Sequence, residues 1–253
     1  MNRKQCQLLT VFTLLIAATS AQAVTFTPPW TRNVDTVNTT FQHWDHFTDL
    51  TGPNAPDVVD FNAYGTAGLV ETGPLFSTFP PPMGEPPQKI ITSTGNIYSF
   101  SRAMQFEVDV PHGGTGDLTT VLLQTRTQAS TLDLDSFMIS YDDGSGAQIM
   151  SPLADALVHE ETIMSAFGPA SVSDRAFLFN VPAVPPTLTF TFNAQTDNMS
   201  LDQVMIDTIV TTANEGFVDV VFTEFETPVP EPASAGLLAC GALALLSRRR
   251  SLH

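Results

Sequence analysis

The densest group of potential ligands in the chain is His43-Trp44-Asp45-His46, two imidazoles and a carboxylate within four residues. On a helix the two histidines, three positions apart, would share a face and could hold zinc. The threonines just before them favour an extended chain, where positions i and i+3 point to opposite faces, and no third ligand stands at a recognisable spacing. Packing by Trp44 and Phe47, with the histidines exposed, is the competing expectation. A second group, Asp142-Asp143-Gly144-Ser145-Gly146, sets carboxylates beside glycines as an oxygen-ligand calcium loop does. It lacks that loop's closing glutamate, and Asp and Gly are equally the residues of a tight strand connection. The expectation is no cofactor, with calcium as the alternative.

Catalytic signatures are sparse. The chain contains no Gly-x-Ser-x-Gly elbow, phosphate-cradling loop or His-Glu-x-x-His helix. Glycoside hydrolysis needs only two carboxylates at a set separation, and Glu107 and Asp109 share a strand face with Gln105, but solvated strand faces look the same. Asp202 and Asp207 fall on opposite faces of a regular strand, so one of them needs a hydrogen-bonding partner or a place at a sheet edge. The aromatics Trp30, Trp44, Tyr64, Tyr98 and Tyr141 are candidates for stacking on sugar rings. Cys6 and Cys240 both lie in apolar end segments, which leaves the region between them without a disulfide, a thiolate metal site or a cysteine nucleophile.

Between Val24 and Thr227 stand 25 acidic side chains and five basic ones, Arg32, Lys89, Arg102, Arg126 and Arg175. A surface of that sign repels nucleic-acid phosphates and anionic headgroups, and no nucleic-acid partner is expected. It suits solubility, cations or basic partners.

The elements that must carry these residues read as strands. Period-two alternation runs through Met104 to Val110, Ser136 to Tyr141, Phe177 to Val181 and Leu188 to Phe192. Further strands are expected near 97–102, 119–127, 203–210 and 217–225. Turn chemistry separates them at Pro111-His112-Gly113-Gly114, at Asp142 to Gly146 and at Asn180 to Pro186. Five prolines within Pro80 to Pro87 exclude a central strand there. Ser151-Pro152 could open one short helix through Leu153, Leu157 and Met164 to a stop at Gly168-Pro169. Eight or so strands in about 200 residues imply an all-β fold, an antiparallel β-sandwich of jelly-roll or lectin-like type, with that one helix.

The two ends read as targeting segments. Arg3 and Lys4, an apolar run from Leu8 to Ala18, and Ala21-Gln22-Ala23 match a secretory signal occupying 1–23, cut before Val24. After the expected ectodomain, 24–226, comes a Pro-rich linker from Thr227 to Pro232, an uncharged transmembrane segment at 233–246, and Arg248-Arg249-Arg250. Fourteen residues of helix cover about 21 Å, short of the ~30 Å hydrocarbon layer. Such a segment suits a transient stop that presents the linker to a membrane enzyme, with the arginines on the cytoplasmic side.

In Val229-Pro230-Glu231-Pro232-Ala233-Ser234, the apolar run and the terminal arginines, residues 227–253 resemble a PEP-CTERM sorting domain. The resemblance implies recognition through Pro230, Glu231 and Pro232 by an exosortase-type enzyme, and delivery to the cell envelope, the surface or the extracellular polymeric matrix. It speaks of destination and not of the domain in front. The resulting expectation is an exported, non-catalytic surface or matrix protein. The alternatives are a carbohydrate-binding module, with extracellular polysaccharide as partner, or a glycan-cleaving enzyme.

Overall fold

The alternating segments become twelve strands in a computed structural model that describes residues 25–32, 35–57, 62–73, 89–165 and 168–222. They are β1 (Thr39–Trp44), β2 (Gly68–Glu71), β3 (Lys89–Ile91), β4 (Ile97–Ser99), β5 (Gln105–Pro111) and β6 (Leu118–Ala129). Then follow β7 (Leu132–Asp142), β8 (Ala147–Met150), β9 (Ala154–Ser165), β10 (Gly168–Val181), β11 (Thr187–Ala194) and β12 (Met199–Thr211). One sheet has the order β3-β4-β12-β6-β10-β9, with β1 sharing an edge of β12 with β4; the other has the order β2-β5-β11-β7-β8. Every pairing between these strands is antiparallel.

The pairings are nested: β7 with β8, β6 with β10, β5 with β11 and β4 with β12. Successive pairs fall in alternate sheets, and β12–β6 and β11–β7 join the pairs within each sheet. The two sheets therefore face each other across a core of side chains from their alternating positions. Phe137 of β7 stacks on Phe177 of β10 with ring centroids 3.7 Å apart, which ties one sheet to the other. Phe192 lies 5.1 Å from Phe137 and 5.2 Å from Phe106, and Phe179 meets Phe190 edge-on. Val108, Val121, Leu123, Ile139, Leu188, Val204 and Ile206 complete this wholly buried layer.

Three expectations are corrected. Among the described residues no helix runs from Ser151 to Ser165; from Ala154 the segment is β9, paired along its length with β10. Leu153, Leu157 and Met164, whose spacing mimics a helical stripe, are all exposed, while Val158 is the buried residue. Backbone pairing to a long neighbour decides such a segment where no apolar surface awaits a helix. Residues 217–222, expected in a strand, cross the first sheet as irregular chain. Seven of the eight expected strands are found and five more join them: β2, β3 and β8 are only three or four residues long, β9 is too evenly exposed to show a clear alternation, and β1 is buried on both faces. The signal segment, the Pro80 to Pro87 stretch and the tail with its expected transmembrane segment lie outside the described residues.

Candidate functional site

The face of the first sheet turned away from the core departs from simple alternation. Nine consecutive residues of β6 are buried, so both of its faces are covered. The cover is the two ends of the domain. Phe26 and Trp30 from the start, and Val218, Val220 and Phe222 from the end, pack on Leu122, Ala176, Leu178, Ile209 and Val158. Phe26 and Phe222 meet edge-on with ring centroids 5.2 Å apart.

Polar groups are embedded in this layer. Asp207, wholly buried on β12, receives Arg32 in a forked pair, Nε to Oδ1 at 2.5 Å and Nη2 to Oδ2 at 2.7 Å, and the guanidinium also lies 3.8 Å over the Phe41 ring. Burial pushes the Asp207 carboxyl up, against the opposing pull of Arg32. Next along β6, Gln124 accepts from the Phe26 N–H at 2.7 Å and donates to the Phe26 carbonyl at 2.9 Å, which pins the incoming chain by both backbone groups.

Two residues further is Arg126, 4% exposed, and around it three carboxylates converge. Asp202 Oδ2 is 3.1 Å from Nε, Asp174 Oδ2 is 3.5 Å from Nη1, and Glu161 Oε1 is 3.5 Å from Nη2. His159 Nδ1 stands 3.2 Å from Asp174. Two bulges make this convergence. The β12 register skips Asp202 opposite Arg126, and the β9 register skips Val158 opposite the Asp174/Arg175 step. An extra residue re-aims the side chains beside it. As a result Asp202 and Asp207 share the outer face, contrary to the expectation for a regular strand, because both Asp202 and Gln203 now lie between the inward-facing Leu201 and Val204. A small recess opens beside the cluster, lined by Thr25, Gln124, Asp174, Arg175, Gln203 and Met205 among others. The recess itself is lined by one carboxylate, Asp174, and one guanidinium, Arg175, while Asp202 and Glu161 are held on the Arg126 side of the cluster.

The ligand candidates from the sequence are dispersed. His43 lies on the outer side of β1, its Nε2 in contact with Gln203 Nε2 and its ring stacked near Phe41. Burial holds its imidazole below the ordinary value, with Asp45 and Asp57 pulling the other way. His46 sits against Gly95, where any Cβ would collide with its ring, and the Asp45 and His46 N–H groups both donate to Asp57 Oδ2. Asp142 and Asp143 each spend a carboxylate oxygen on N–H groups of the β7–β8 turn, at Gly144 and Ser145. Among the described residues, no three His, Cys, Asp or Glu side chains converge as a metal-binding group.

The aromatic candidates are divided. Trp44 is wholly buried with its indole N–H donating to the Asn54 carbonyl, and Trp30 is packed in the outer layer, so neither offers a ring face to a sugar. Tyr141 packs partly against the core, Tyr98 lies edge-on to Phe100, and Tyr64 is 37% exposed with its hydroxyl donating to the Val37 carbonyl. Gln105, Glu107 and Asp109 do share the open face of the second sheet, where Thr189 donates to Asp109. Ala21, Ala23, Pro230, Glu231, Pro232 and Arg248 to Arg250 fall outside the described residues.

The Arg126 cluster escapes sequence reading because its members come from four strands. One signal was present: basic side chains are scarce, and Arg32, Lys89, Arg126 and Arg175 each form an ion pair. Comparison with protein-family models, curated proteins and solved structures finds no match to this chain.

Proposed function

We propose that the chain is an exported, non-catalytic protein of the cell surface or extracellular matrix, suspended from one face of its sandwich and sorted through its tail by an exosortase-type membrane enzyme. The observation that carries this reading is the meeting of the domain's two ends, Phe26 against Phe222, on the outer face of the first sheet. The start of that domain follows the signal-like segment at once, and only four residues separate Phe222 from the linker at Thr227. A domain whose entry and exit share one face hangs from that face and turns the opposite one outward. The outward face then bears Gln105, Glu107, Asp109, Thr189 and Thr191.

The test is the intact mass of the protein recovered from membrane, secreted and matrix fractions of its host. A chain that starts at Val24 and ends near Pro232 supports removal of both end segments. Retention of Arg248 to Arg250 in a membrane fraction overturns the processing and leaves a short permanent anchor.

The nested strand pairing supports a jelly-roll assignment, a fold that often carries glycan sites. It favours carbohydrate binding as a second reading, with Tyr64 as the stacking residue of greatest exposure among the aromatic candidates. Loss of glycan retention in a Tyr64→Ala chain supports that reading, and a flat glycan array, with and without calcium, overturns it.

A further inference from the structure

We propose that Lys89 and Glu71 condense in the folded domain into an intramolecular amide, a cross-link that ties β3, at one edge of the first sheet, to β2, at an edge of the second. A chemistry of this kind depends on the fold alone and not on where the chain is delivered.

The two residues meet on the inner side of the sandwich rim. Glu71 points to the same side of β2 as Leu69 and pairs with Phe106, both deeply buried, so its carboxylate stands at the border of the apolar core. Lys89 Nζ is in contact with Glu71 Oε2, and the two side chains are 13% and 2% exposed. Glu71 Oε1 accepts from the Gly73 N–H at 3.1 Å and from the Gln105 N–H at 3.3 Å. Glycine is what permits the first of these approaches, since a Cβ at Gly73 would lie 2.4 Å from Oε1. Burial holds the Lys89 amine below its ordinary value even beside the carboxylate, which shifts it toward the uncharged, nucleophilic form.

Nucleophile, carboxyl carbon and oxyanion donors are thus held in one place, where proximity replaces a bimolecular encounter. Within the pair one proton passes from Nζ to Oε2, leaving a neutral amine and a neutral acid, the form a dry site favours over two charges. The amine lone pair attacks Cδ, and the electrons of the C=O bond move onto Oε1, where the Gly73 and Gln105 N–H groups receive the charge. A second Nζ proton goes to Oε2, the Cδ–Oε2 bond breaks, and Oε2 leaves as water. One C–N bond has formed and one C–O bond has broken, with no oxidant, reductant or activated donor. Two buried charges give way to a neutral amide whose carbonyl oxygen keeps both backbone donors. The bond joins residues 18 positions apart and does at this rim what a disulfide does in secreted domains, in a region that holds no cysteine.

The experiment is a tryptic digest of the full chain, purified folded and then denatured, which releases an ion pair and leaves an amide intact. Lys89 is the one trypsin site between Arg32 and Arg102. The expected major product is a single peptide spanning residues 33–102, uncut at the acylated lysine and about 18 Da lighter than its sequence, the mass of one water. Its fragment ions should join Lys89 to Glu71. Lys89→Met is expected to give the same uncut span at its full sequence mass, and a water missing there overturns the assignment. Two separate peptides, 33–89 and 90–102, each at full mass, overturn the cross-link and leave an ion pair. Linkage of Lys89 to any carboxyl other than Glu71 overturns it as well. The unsubstituted chain decides the matter by itself, so poor folding of the Lys89→Met chain changes nothing. Both end segments lie outside the 33–102 span, so the reading is the same whether or not they are removed.

Discussion

The outer faces of the two sheets are built from the same strand geometry and have opposite fates. On the second sheet, Gln105, Glu107 and Asp109 alternate with buried Phe106, Val108 and Val110, and the opposing Thr189 and Thr191 of β11 lie half-buried beside them. On the first sheet, Leu122, Gln124 and Arg126 occupy the equivalent outward positions and are all buried. The difference is the cover supplied by residues 25–32 and 216–222. It teaches that an outward strand face becomes interior by receiving a chain segment, and that polar residues already on it must then find partners. Arg32 for Asp207 and the Phe26 backbone for Gln124 are such partners.

The largest expected effect is on the covered face. Leu122→Ala should cost about 2–5 kcal/mol, as a truncation in any dry core does, read from the denaturant midpoint. A cost within ~0.5 kcal/mol, which is usual for exposed sites, would break the comparison.

His112 tests the rim between the sheets. It is 3% exposed, its Nε2 lies 3.1 Å from Thr119 Oγ1, and burial pulls its pKa down to about 4. The unfolded chain takes up that proton near pH 6.5 and the folded one near pH 4, so stability is lost as pH falls across this window, by up to about 3 kcal/mol. His112→Gln should flatten the slope in an unfolding titration.

Arg32→Ala removes the partner of a buried carboxylate. A cost of about 2 kcal/mol at pH 7 is expected, below the ~3–5 kcal/mol of a fully buried pair because Arg32 is one-third exposed. The folded pKa of Asp207 is already raised by burial and rises further without Arg32, so the penalty is greatest at high pH and shrinks as pH falls through that value. A penalty independent of pH would mean that Arg32 acts through its packing on Phe41 alone. The smallest effect belongs to the open face, where Glu107→Gln should stay within about 0.5 kcal/mol.

Much of the sandwich was legible in the alternation of residues such as Phe106/Glu107/Val108 and Phe190/Thr191/Phe192, because a half-buried strand must place one residue type on each side. The helix expected from Leu153, Leu157 and Met164 was misread because helical spacing carries no information about whether an apolar partner exists. The Arg126 cluster was invisible for a related reason. Arg126, Glu161, Asp174 and Asp202 are remote in sequence, and the bulges that turn Asp202 and its neighbours toward the guanidinium leave no mark in the residue pattern.

What the sequence by itself determined is local: strand periodicity, turn chemistry, the scarcity of basic side chains, and end segments whose order of charge and hydrophobicity reads without reference to a fold. What only the tertiary structure decided is which outward face is covered, which acidic residue meets which cation, and that the two ends of the domain lie side by side. Those are matters of long-range pairing, fixed when β12 closes between β6 and β1 and the end segments bury their aromatics on the sheet behind them.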